Sequence, residues 1–100
     1  MAMTVNEHLI TTLGEEGSEV AKECSKILRF GLHDRNPNDP HGPDNVERLV
    51  GELNDMLGTV GLLIQAGIIP PNWQSLIAQA AKQEKIQRYL IYASERGCLR

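Results

Sequence analysis

The chain is expected to be all-α, and three observations point there. Apolar residues recur every three to four positions over three long stretches. Proline, glycine, Asp and Asn gather between those stretches. Hydrophobic residues make up 41% of the chain but aromatics only 4%, so Ala, Leu, Ile and Val must supply the core, which suits packed helices. No alternating β pattern, internal repeat or low-complexity tract competes with this reading. One hundred residues are read as a single domain, 1–100. A chain this short buries a modest fraction of its surface, so a lone monomer core would be marginal.

The first helix is expected over about residues 5–30. Leu9, Leu13, Val20, Cys24 and Ile27 recur at helical spacing, and Glu16 falls on the same stripe. Gly14 and Gly17 lie inside it and weaken it by roughly 1 kcal/mol each relative to Ala. They either permit close helix packing or leave clearance for a ligand. Gly31 is a natural stop. A long loop, 31–44, follows, carrying Pro37, Pro40 and Pro43. Asp44 then reads as an N-cap, with Glu47 as its capping-box partner.

The second helix is expected over about 45–65. Val46, Leu49, Val50, Leu53, Met56, Leu57, Val60, Leu63 and Ile64 give it a broad apolar face. Gly67 can end it, and Pro70-Pro71 makes the break firm. The third helix is expected over about 72–95, with Leu76, Ile77, Ala80, Ala81, Ile86, Leu90 and Ala93 on its apolar side. Lys82, Lys85 and Arg88 are spaced by three and share one face. Helices two and three are apolar over more surface than one short helix can cover, so partner helices are expected to complete an oligomeric bundle.

Charge and composition narrow the function. The net charge is −3 with no dominant basic patch, which argues against a nucleic-acid polymer as partner. No apolar run approaches the length of a membrane span. No charged-then-apolar leader opens the chain. Cys24 and Cys98 match no zinc pattern and read as free thiols. A soluble, cytoplasmic protein without a membrane partner is the expectation.

The chemistry lies in the acids. The first helix carries Glu15-Glu16-Gly17-Ser18-Glu19, and the second carries Glu52-Leu53-Asn54-Asp55. Glu16 with Glu19, and Glu52 with Asp55, stand three apart, one above the other on a helix side. Like charges at that spacing repel, so local helix stability does not ask for them. Glu16 shares a stripe with Leu13 and Val20, and Glu52 lies between Leu49 and Met56. Burying unpaired carboxylates there is too costly without compensation. A divalent cation compensates, because Mg²⁺ takes carboxylate oxygens and keeps waters or phosphate oxygens as well. The plainer reading is a solvated acidic face paired with Lys22, Lys26 or Arg48. A di-iron bundle would need Glu-x-x-His pairs, and the chain has none. Oxygen-only ligation favours Mg²⁺, with Mn²⁺ as the alternative.

The segments GEEGSEVAKECSKILRFGL, NVERLVGELNDMLGTVGLLIQAG and AKQEKIQRYL resemble the MazG-like family of all-α nucleoside triphosphate pyrophosphohydrolases, especially its small phage and bacterial members. The family pattern is EExxE followed by ExxD; both halves of it are present, and the likeness runs from about Leu13 to Leu90. The resemblance implies a bundle of the all-α NTP pyrophosphatase type. It implies Mg²⁺-dependent cleavage of the α–β phosphoanhydride of a nucleoside triphosphate, giving a monophosphate and pyrophosphate. By position it makes Glu16, Glu19, Glu52 and Asp55 the metal ligands and gives Glu15 a supporting role. Glu16 or Glu19 would take the proton of the attacking water. Lys82 and Lys85 fall where the family tends to place basic residues near the phosphates. The family is commonly dimeric or tetrameric, so a homodimer or homotetramer is implied. Two departures stand out: the gap between Glu19 and Glu52 is long for the family, and few residues precede Glu15. A relative acting on dUTP or phosphoribosyl-ATP is the competing enzyme. A non-catalytic helical module that binds a nucleotide or a protein is the competing class.

Overall fold

A computed structural model describes residues 2–100. Its order is α1 (Val5–Phe30), α2 (Asn45–Gln65) and α3 (Leu76–Glu95), with no strand among the described residues. The chain divides into two compact units, the first ending at Pro70 and the second running Pro71–Arg100.

In the first unit, α1 and α2 form an antiparallel hairpin. Each opens on a capping box. Thr4 Oγ1 accepts from the Glu7 N–H at 3.1 Å, while the Thr4 N–H donates to Glu7 Oε1 at 3.0 Å. Asp44 Oδ1 accepts from the Glu47 N–H at 2.8 Å, as the sequence pattern anticipates. Two free donors at a helix start are satisfied this way in each case. The Asp44 carboxyl is held below its usual range, first by the Glu47 N–H and then by His33, whose Nδ1 lies 3.0 Å away.

The 31–44 loop ties the two helix ends together. Gly31, at φ 98°, ends α1 by donating its N–H to Ile27 O. Its own carbonyl then accepts from Asn45 Nδ2 at 2.9 Å. The Asn45 and Val46 N–H groups donate to the carbonyls of Asp34 and Leu32. The loop thus supplies acceptors that the first turn of α2 lacks on its own, which fixes the C-terminal end of α1 beside the N-terminal end of α2.

The α1–α2 seam follows helical spacing. On α1 the inward positions are Leu9, Leu13, Glu16, Val20, Glu23 and Ile27. Glu23, not Cys24, occupies the stripe, and Cys24 is exposed. On α2, Thr59, Val60 and Leu63 are buried. Val50, Leu53 and Leu57, placed by sequence on the same broad face, remain exposed and form a second apolar stripe. Leu63 is 1% exposed and is the best-buried large side chain. Leu63→Ala is expected to cost about 2–5 kcal/mol, measured by urea denaturation, because little else is available to collapse into the cavity.

Gly67, at φ 76°, ends α2 in a Schellman turn: its N–H donates to Ile64 O and the Ile68 N–H to Leu63 O. Gly97, at φ 74°, closes α3 in the same way, with Gly97 N–H to Ser94 O and Cys98 N–H to Ala93 O.

In the second unit, α3 starts at Leu76 rather than near residue 72. The Ser75 hydroxyl accepts from the Ala78 N–H at 3.1 Å and so defines the first turn. Pro71 and Asn72 are taken up in a turn before it. Leu76, Ile77, Ile86 and Leu90 are all exposed on α3. No helix among the described residues is long and apolar enough to cross a membrane.

Candidate metal centre

The hairpin brings the two acidic motifs together. The capped loop sets the register, so that the middle of α1 faces the middle of α2. Glu16 from α1 meets Glu52 and Asp55 from α2, and each offers a carboxylate oxygen such that all three lie within 4.8 Å of one another. Glu16 and Glu52 are half-buried in the seam, and Asp55 is exposed at its edge. Among the described residues, none of the three has a Lys, Arg or His partner within 4.0 Å.

Glu19 stands apart from this trio. Its Oε2 lies 3.8 Å from Lys22 Nζ, an exposed pair three residues apart on α1. Its charge still reaches Glu52. Glu15 is exposed. Lys82 and Lys85 belong to α3 in the second unit, where both are exposed and the Lys85 ammonium stands 6.0 Å from the centre of the Tyr89 ring. Arg88 is engaged with Glu84 at 3.3 Å.

Glu23 was not legible as a site residue, yet it is the most buried acid of the row at 4% exposure. Its Oε1 accepts from Lys26 Nζ at 3.3 Å, and its Oε2 is buried without a hydrogen-bond partner. Its spacing was the available signal, since it follows Glu16 by seven residues and Glu19 by four on one helix face.

Electrostatics record the crowding. Burial pushes the Glu52 carboxyl above its ordinary range, and repulsion from Asp55, Glu19, Glu16 and Glu23 pushes it further. An unneutralised set of carboxylates in a half-buried seam is a poor arrangement by itself. A hard divalent cation is the group that fits it: the donors are all carboxylate oxygens, three converge, and a fourth acid nearby keeps an orphaned buried oxygen. These three acids can hold a metal ion.

Comparison with protein-family models, with curated proteins and with solved structures found no match.

Proposed function

We propose that the chain is a Mg²⁺-dependent nucleoside triphosphate pyrophosphohydrolase of the MazG-like kind, cleaving the α–β phosphoanhydride to release a monophosphate and pyrophosphate. The observation that carries the reading is the convergence of Glu16, Glu52 and Asp55, oxygens within 4.8 Å, with no Lys, Arg or His ion pair to them among the described residues. The EExxE and ExxD pattern supports the same conclusion, because those three residues are members of it.

When bound, the divalent ion supplies charge neutralisation at the phosphates and a more acidic water. Glu16, Glu52 and Asp55 hold it, with Mn²⁺ as a workable substitute. Glu19, one turn from Glu16 but outside the trio, is the carboxylate left to accept the proton of the attacking water. Water oxygen bonds to the α-phosphorus, the bond to the bridging oxygen breaks, and pyrophosphate leaves with that electron pair. Glu15 supports the motif from the exposed side of α1. The exposed Val50, Leu53 and Leu57 stripe of α2 supports a homodimer or homotetramer, in which a second copy covers it.

The test is a substrate panel with Mg²⁺, covering ribo- and deoxynucleoside triphosphates, dUTP and phosphoribosyl-ATP, scored for pyrophosphate against orthophosphate. Pyrophosphate from a nucleoside triphosphate is the expected product. Turnover confined to dUTP or phosphoribosyl-ATP would move the chain to a sister activity. No turnover on any of them would favour a binding module.

A further inference from the structure

The geometry points to a second, cationic site in the first unit, which receives the terminal pyrophosphoryl group of the substrate and whose Arg48 stands one helical turn from Glu52 of the acid trio. The assignment of the ligand rests on the proposed function. The site itself rests on a cavity of about 530 Å³ between the end of α1, the 31–44 loop and the start of α2.

Lys26, Arg35 and Arg48 line that cavity against a single carboxylate, Asp34. This is a concentration of positive charge in a chain whose net charge is −3. Two of the cations are partly engaged. Lys26 lies 3.3 Å from Glu23, while Arg35 donates Nε–H to Gly42 O at 3.0 Å and stands 3.8 Å from Glu47. Arg48 is half-buried and has no ion pair within 4.0 Å among the described residues. A half-buried guanidinium without a carboxylate is a vacant fork for an anion, and its planar donors match phosphate oxygens. Asn36 adds an amide whose oxygen is already taken by the Asn38 N–H, leaving its NH₂ to donate.

Position ties the cavity to the acid trio. Arg48 precedes Glu52 by four residues on α2, one turn or about 6 Å along the axis and on the same face. On α1, Lys26 follows Glu23 by three residues and bonds to it. Because the helices run antiparallel, both helices place acids toward the middle of the seam and bases toward the loop end. A linear anion laid along the seam meets cation-binding carboxylates first and, past Glu23, which Lys26 partly offsets, protein cations next. A phosphate chain can be met at one end by a cation held on the carboxylates and at the other by the protein's own cations; a neutral base calls for neither. In α–β cleavage the groups beyond the scissile bond are the β- and γ-phosphates, so the cavity would hold the leaving pyrophosphate.

The experiment is calorimetric titration of inorganic pyrophosphate, and separately of a nucleoside monophosphate, into the full chain with Mg²⁺ present. Wild type, Arg48→Ala, Arg48→Lys and Lys82→Ala are compared, with circular dichroism as the folding control. Arg48→Ala is expected to weaken pyrophosphate binding about 10-fold or more, as loss of a charge-assisted contact does. Arg48→Lys is expected to recover part of it, and monophosphate binding to stay within about 2-fold, because a monophosphate at the acid trio loses no contact of this size. The inference fails if wild type binds no pyrophosphate, or if Arg48→Ala binds it as wild type does. It also fails if the loss appears with Lys82→Ala instead, or if monophosphate binding falls in parallel. Arg48-dependent pyrophosphate binding in a chain that turns over no nucleotide would refute the proposed function and leave the site standing.

Discussion

Asp55→Ala is expected to lower kcat/KM for Mg²⁺-dependent pyrophosphate release by at least about 100-fold, since even residues that merely support metal ligands commonly cost 10–100-fold. The helical circular-dichroism signal is expected to stay unchanged. The Asp55 side chain is exposed, so its removal empties no core. The bond that Thr59 makes one turn later goes to the Asp55 backbone carbonyl, which survives the substitution. What disappears is one of three converging carboxylates. Glu16→Ala is expected to behave alike, with some added cost in stability because Glu16 is half-buried. Near-normal turnover in Asp55→Ala would show that the trio is not the reaction centre.

Glu52→Gln is expected to move stability and function in opposite directions. In the folded chain, burial and then Asp55, Glu19, Glu16 and Glu23 push the Glu52 carboxyl above its ordinary value of 4.5. A raised carboxyl holds its proton more tightly folded than unfolded. Its favourable contribution is therefore present below the unfolded value and is lost as pH rises through the folded one. At neutral pH the ionised Glu52 destabilises the cation-free fold. The neutral amide removes that repulsion, so Glu52→Gln in chelator is expected to melt above wild type, and the difference to widen from acid to neutral pH. With divalent cation the order changes. A cation at about 100 times its Kd stabilises wild type by about 2.7 kcal/mol, which corresponds to a rise on the order of 10 °C for a domain this small. The Gln variant is expected to gain little. A variant that melts at or below wild type in chelator, or that gains equally from Mg²⁺, contradicts the electrostatic account of the seam.

The contrast between these two variants separates what each residue does. Asp55, at the solvent edge, serves binding at little structural cost. Glu52, inside the seam, trades fold stability for a ligand position. Charged groups held against their own stability are a common mark of functional sites.

Much of the hairpin was legible because its punctuation is chemical. Gly31 and Gly67 mark the ends of α1 and α2 through positive φ, and Asp44 with Glu47 marks the start of α2, while the start of α1 is set by the Thr4 and Glu7 box that periodicity placed only approximately. The start of α3 was less legible. Pro70-Pro71 marks a break but not where the next helix resumes, and it is the Ser75 hydroxyl that selects Leu76. The acid trio could be anticipated from two i,i+3 pairs on faces that must meet. The pairing of Glu19 with Lys22 matches the plainer reading of a solvated acidic face, but the sequence did not show that Glu19 alone of the four acids would take it, because the pair competes through a rotamer rather than a register. Glu23 was hidden by its type: a lone Glu between Lys22 and Cys24 reads as solvated even though its spacing from Glu16 puts it on the stripe, and the seam shows that it takes the position expected of Cys24. Arg35 and Arg48 share a cavity only because the loop folds back onto α2, and no spacing rule carries that information.

The exposed Val50, Leu53 and Leu57 stripe has the same origin. Periodicity identifies an apolar face but not how much of it one neighbouring helix covers.

The facing carboxylates of α1 and α2 are expected to form a divalent-cation site. Electron paramagnetic resonance of Mn²⁺ titrated into the chain reads this directly. The expected result is a bound Mn²⁺ signal that Mg²⁺ displaces and that Asp55→Ala and Glu52→Gln both lose. Mn²⁺ that stays free in solution with wild type, or that binds the two variants as tightly as wild type, would contradict it.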